Sequence, residues 1–162
     1  MKDTVPVRFI ADAMVARLGR WLRILGYDVA TFYRKAHQAE NSRKEIIQRA
    51  IREDRIILTR DAHLLKHKEL PPHCFILNDR LKDQLNQVLN ELHLQPQIRL
   101  TRCLDCNLSL ESIPKEAVQT RIPPYVFKTQ TEFCECPKCN KIFWEGTHVE
   151  RIFERIKQLQ LN

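Results

Sequence analysis

Glycine is scarce in this chain: 162 residues contain only Gly19, Gly26 and Gly146. Walker loops and dinucleotide-binding turns need several glycines in one short segment, where backbone N–H groups close on phosphates. Neither can be built here. Serine is almost as rare, and Ser42, Ser109 and Ser112 lie in no Gly-x-Ser-x-Gly context, so a hydrolase nucleophile elbow is unsupported. His63 and His67 stand four apart but lack the glutamate of a zincin motif, and they read as surface residues. No apolar run approaches the roughly 18–20 residues that cross a bilayer. The opening residues 1–8 lack the apolar stretch of a signal peptide, which makes the cytoplasm the expected compartment. The first hundred residues hold one cysteine, Cys74, set in an apolar run as a core residue would be.

The other five cysteines crowd into residues 103–139. Cys103-Leu-Asp-Cys106 and Cys136-Pro-Lys-Cys139 each offer two thiolates from one tight turn, the pattern of a zinc ribbon. Four ligands close a tetrahedral sphere, which points to a structural zinc rather than a catalytic one. The 29 residues between the pairs exceed the commoner spacing and imply a strand or loop excursion around Pro123-Pro124. Cys134 offers a competing ligand, but the x-x spacing and Pro137 favour Cys136 with Cys139 and leave Cys134 a free thiol. A redox pair would need a strand–helix setting that this segment lacks.

Ahead of the cysteines, short apolar runs alternate with helical patterns, the rhythm of an α/β domain with a parallel sheet. Strands are expected at residues 5–11, 27–32, 56–59 and 74–77. Helices are expected at 12–25, 42–53, 62–68 and 81–92, with Gly26 as a C-cap. Residues 95–99 read as a linker, which gives domains 1–97 and 98–162, and residues 150–161 as a closing amphipathic helix. The charge is uneven too. Residues 1–100 carry 18 Lys plus Arg against 12 Asp plus Glu, and residues 101–162 carry 9 against 8. A polyanion should therefore favour the N-terminal part.

Ligands of parallel sheets gather at the carboxyl ends of the strands. Asp12, Asp61 and Asp79 each follow a strand, and such a cluster of acids needs a cation such as magnesium or manganese. Each acid also has a plainer reading: Asp12 and Asp61 as N-caps, Asp79 as a turn residue. Ser42-Arg-Lys-Glu45 likewise reads as a capping box. Arg17, Arg20 and Arg23 recur in steps of three, either as a guanidinium row for a phosphate backbone or as a solvated helix face.

The segment from Arg8 through Asp12, Arg17, Arg20-Trp21, Arg23 and Gly26-Tyr27-Asp28 resembles the opening of the Mut-seven C-terminal RNase domain family. So does Arg55-Ile-Ile-Leu-Thr59-Arg60-Asp61. The cysteine segment matches as well, with Cys106-Asn107, Pro123-Pro124, Phe133, and Trp144-x-Gly146-Thr147-His148. The resemblance implies a PIN-like domain with a parallel sheet flanked by helices, followed by a small zinc ribbon. By position, Asp12, Glu45 and Asp61 look like the metal-binding acids, with Asp79 preferred over Asp83 as a fourth. Where family members often show several acids in a row, this chain has Arg43-Lys44 before Glu45. The implied activity is a metal-dependent ribonuclease using magnesium or manganese, with Arg17, Arg20, Arg23 and Arg60 on phosphates and Thr59 positioning a carboxylate. Its expected partners are RNA, the ribosome or a protein inhibitor, and no membrane. The alternative is a catalytically weak or inactive RNA- or ribosome-binding module, and a DNA-directed nuclease is a third.

Overall fold

The structure is a computed structural model that describes residues 7–33, 39–95, 101–146 and 154. The chain divides into two compact units, Met1–Arg99 and Leu100–Asn162. No helix among the described residues is long and apolar enough to cross a membrane.

In the first unit, β1 (Arg8–Asp12), β2 (Asp28–Phe32), β3 (Ile56–Thr59) and β4 (His73–Phe75) form a parallel sheet in the order β2-β1-β3-β4. Helices α1 (Ala16–Ile24), α2 (Ala39–Glu53) and α3 (Leu81–Glu91) flank it, with α3 packed beside α1. Successive strand residues face opposite sides. Ile10, Ala30 and Ile57 meet Ile46, Ile47 and Ala50 of α2 on one face. On the other, α1 comes so close that a Cβ on Gly19 would sit 3.2 Å from both Ala11 Cβ and Val29 Cγ1. Glycine there spares Ala11 and Val29 the shift of a few tenths of an ångström that a Cβ would force.

With so few glycines, helix ends must use other residues. The α1 terminus has the expected form, with Gly26 at φ 85°, Gly26 N–H on the Arg23 carbonyl and Tyr27 N–H on the Leu22 carbonyl. The same two-bond motif closes α2 with Asp54 at φ 50° and α3 with His93 at φ 51°. These left-handed positions carry a Cβ, which costs about 1 kcal/mol relative to glycine.

Several expected boundaries move. The helix expected from residue 12 opens as a 3-10 turn over Ala13–Val15 before α1, and the one expected over 62–68 shrinks to a 3-10 turn at Leu64–Lys66. The second helix already runs at Ala39, so Ser42 lies inside it and does not cap it. Ser42 is instead buried. The closing helix expected over 150–161 lies outside the described residues apart from Glu154.

The β1–β2–β3 strand starts are tied by Arg55, which is buried. Its guanidinium donates to Asp28 Oδ1 (2.6 Å), Glu53 Oε2 (2.6 Å) and the Phe9 carbonyl (3.0 Å). Burial disfavours the Glu53 carboxylate, but hydrogen bonds from Arg49 and Arg55 outweigh it and hold its pKa below the ordinary 4.5. The stability Glu53 contributes is therefore complete above pH 4.5 and is lost as pH falls through the lower native value. Removing Arg55 leaves the Phe9 carbonyl and two carboxylates short of a partner. Arg55→Ala should cost about 3 kcal/mol in urea unfolding and flatten the acid limb of the stability profile; a loss within about 0.5 kcal/mol would show the hub to be dispensable.

In the second unit, β5 (Glu111–Ile113), β6 (Phe133–Glu135) and β7 (Ile142–Phe143) form an antiparallel sheet in that order. The long insert between the cysteine pairs carries two short helices, α4 (Lys115–Val118) and α5 (Pro124–Thr129). Pro124 begins α5, where a missing N–H costs nothing. Val118, Ile122 and Phe133 form a small core, with Trp144 packed against Phe133 at 6.5 Å between ring centroids.

Candidate functional site: two acidic residues tied through one hydroxyl, and a four-cysteine cluster

The register pairs Ala11 with Leu58, so the carboxyl ends of β1 and β3 finish side by side. Period-two alternation then sends Asp12, Thr59 and Asp61 to the face of Ile10 and Ile57, the face that α2 covers. Thr59 is fully buried and joins the two acids. Its hydroxyl donates to Asp12 Oδ2 and accepts the Asp61 backbone N–H at 3.0 Å.

Each acid also caps a turn with its other oxygen. Asp12 Oδ1 accepts the Met14 N–H (2.7 Å), opening the 3-10 turn, and Asp61 Oδ1 accepts the His63 N–H (3.0 Å). Capping and site-building are therefore not alternatives, because each carboxylate has one oxygen for each task. Asp12 and Asp61 are 2% and 6% exposed, deep enough that a charged partner matters.

That partner comes from α2. Arg43 Nε donates to Asp61 Oδ2 at 2.6 Å, and its Nη1 reaches Glu40 at 3.4 Å. The hydrogen bond to Asp61 raises the Arg43 pKa further, so this side chain is a permanent cation. A hollow lined by Asp12, Phe32, Ser42, Arg43, Ile46 and Leu64 lies at this spot. Arg43 stands at helical spacing with Ile46, Ile47 and Ala50, the buried stripe of α2. That spacing was the available signal for it. Glu45 falls off the stripe and stands on the exposed side of α2.

The remaining expected residues divide. Asp79 is not drawn to the acid pair: its side chain is 86% exposed and ion-pairs with Arg60, which alternation sends away from Thr59 and Asp61. Arg17 and Arg20 are exposed on α1. Arg23 is buried, and its guanidinium is spent on the Val29 carbonyl (2.8 and 2.7 Å) and Thr31 Oγ1 (2.7 Å). Steps of three drift around a helix by 60° each, so the third arginine of the row has turned onto the sheet. It braces β2 and is not placed to meet a phosphate.

Among the described residues, the one group of three or more His, Cys, Asp or Glu close enough to share an ion is Cys103, Cys106, Cys136 and Cys139, whose sulfurs lie within 4.8 Å of one another. Both halves are built alike. Cys103 N–H bonds to the Leu108 carbonyl (2.8 Å) and Asn107 N–H to the Cys103 carbonyl (2.9 Å); Cys136 N–H bonds to Lys141 (3.0 Å) and Asn140 N–H to Cys136 (2.9 Å). Asn107 and Asn140 take φ 64° and 55°, a conformation asparagine tolerates better than most side chains. Four soft sulfurs at this spacing suit a tetrahedral zinc. Cys134 stays outside the group, its thiol pushed up by burial and Glu132, and Cys74 is a core residue pushed up to about 12 by burial and Glu91.

The family model described as the Mut7-C RNAse domain matches residues 7–156, nearly the whole chain. The chain belongs to the Mut7-C RNAse domain family. No curated protein matches it. The Mut7-C RNAse domain match spans both the acid pair and the cysteine cluster, and the family name points to a nuclease-like function. The motif residues of this Mut7-C RNAse domain separate physically into two sets. Arg23, Asp28 and Arg55 hold strands together, whereas Asp12 lines the hollow and Thr59 ties Asp12 to Asp61.

The cluster gives a direct test. Cys136→Ser should release the bound metal into a colorimetric zinc chelator and unfold the second unit, while Cys134→Ser should keep it. Zinc retained by Cys136→Ser would replace Cys136 with another ligand.

Proposed function

We propose that this protein is a ribonuclease whose chemistry takes place at the Asp12–Asp61 hollow, with magnesium or manganese held by those two carboxylates. The observation that supports it is a buried Thr59 hydroxyl that donates to the Asp12 carboxylate and accepts the Asp61 backbone N–H, tying two acidic residues from neighbouring strand ends within a chain of an RNase domain family. Carboxylate oxygens are the donors that hard divalent cations prefer. A bound cation of this kind supplies charge stabilisation and an activated water at a phosphodiester.

The chain's own residues do the rest. Thr59 fixes the orientation of Asp12, and the Met14 and His63 N–H groups fix the second oxygen of each acid. Low exposure keeps bulk water from screening them. Arg17 and Arg20, exposed on the helix that follows Asp12, would engage backbone phosphates, and so would Arg60. The cysteine cluster would hold a structural zinc that keeps the second unit folded. Glu45 and Asp79 would act at a distance from the acid pair, in the field around the hollow. The cytoplasm is the compartment this reading assigns.

Asparagine can still cap a turn and still fill the site, so Asp12→Asn isolates the charge. With manganese present, it should lower cleavage of a labelled single-stranded RNA by about 100-fold or more and leave the melting temperature within about 2 °C. Full activity in Asp12→Asn would remove Asp12 from the chemistry. A wild-type chain that binds RNA tightly but cuts neither RNA nor DNA would favour the binding-module reading, which the seat of Arg43 on Asp61 also favours.

A further inference from the structure

Asp12 and Arg43 both line the hollow, and Arg43 holds the carboxylate of Asp61, where a divalent cation would draw on that acid. Arg43 reaches it from the buried stripe of α2 and places Nε 2.6 Å from Asp61 Oδ2. Its side chain is only 16% exposed, so this is not a loose surface pair. The oxygen it takes is the one left over after Asp61 Oδ1 has capped the turn at His63. A guanidinium so placed supplies the positive charge that a metal ion would bring.

We propose that Arg43 is a built-in counter-ion that competes with the divalent cation for Asp61, and that a phosphate of bound RNA draws it away. The proposal rests on the metal-site reading above and adds its control. Arg43 is a positioning residue here, acting through Asp61. Its charge is permanent, so a divalent ion cannot enter by waiting for deprotonation; it must break the pair or find it already broken. Its planar fork matches a phosphate's two oxygens better than any other side chain does. Glu40, the other acid it touches, lies 3.4 Å away with a side chain 59% exposed, so the guanidinium already bridges the buried Asp61 and a solvent-exposed carboxylate. RNA and metal then assist each other, because a ligand that moves Arg43 exposes the Asp61 oxygen, and the coupling is reciprocal. Without RNA, Asp61 stays neutralised by Arg43 and the site holds metal weakly.

Manganese binding to the zinc-loaded full chain tests this, measured by calorimetry for the wild type, Arg43→Gln, Arg49→Gln and Asp61→Asn. Arg49 lies on the same helix and pairs with Glu53, so its loss removes an equal charge away from the hollow. Arg43→Gln should bind manganese about tenfold tighter than the wild type, the effect of one broken charge-assisted bond, and Arg49→Gln should stay near the wild type. A 2′-O-methyl oligoribonucleotide, which resists cleavage, should tighten manganese binding in the wild type but add little in Arg43→Gln. Manganese should also raise the melting temperature of Arg43→Gln more than that of the wild type, which a merely structural ion pair would not produce. If Arg43→Gln does not fold, Arg43→Met keeps the aliphatic stem and carries the same comparison. Equal manganese affinity with and without Arg43, abolished by Asp61→Asn, overturns the counter-ion role and leaves the metal site standing. No Asp61-dependent manganese binding in any of the proteins overturns the metal site itself, and the proposal with it.

Discussion

The hydroxyl of Thr59 sits between the Asp12 carboxylate and the Asp61 backbone N–H because β1 and β3 are neighbours in the sheet, and the rest of the site follows from that adjacency. Parallel strands in register end together, so residues 47 positions apart in sequence come within one side chain of each other. A buried carboxylate is costly unless its oxygens are occupied. Thr59, the turn N–H groups of Met14 and His63, and Arg43 occupy them. The sheet order is thus an electrostatic arrangement as much as a packing one. Period-two alternation sharpens it, since the residue between Thr59 and Asp61 is turned away to meet Asp79.

Much of this was legible in the chain itself. Strand ends carrying aspartate, a threonine two before Asp61, and paired Cys-x-x-Cys turns are local patterns with local causes, and the structure keeps them. Failures came where a helix face had to be assigned. Glu45 and Arg43 are two apart, so one of them had to point away from the sheet, and the apolar stripe through Ile46, Ile47 and Ala50 chooses Arg43. Arg23 was misassigned to the phosphate row for the same reason, since three-residue steps drift. The helices inside the 29-residue insert were hidden differently. They are too short to show periodicity, and their start depends on Pro124.

A chain with three glycines must find other residues for left-handed backbone, and among the described residues it does so four times, at Asp54, His93, Asn107 and Asn140. The two asparagines hold equivalent places in the cysteine turns, each following the second sulfur of its pair. Backbone hydrogen bonds close both turns in the same way, so they form a matched pair of small claws joined through the insert.

Such a pair of claws changes how a thiophilic ion is held over time. Either claw can make the first capture, after which the other competes from the same chain at an effective concentration far above that of any free thiol. Escape then requires both claws to open within the same interval, whereas a momentary opening of one is healed before the ion diffuses off. Retention becomes a matter of residence time, and a folded second unit can outlast long intervals of metal scarcity.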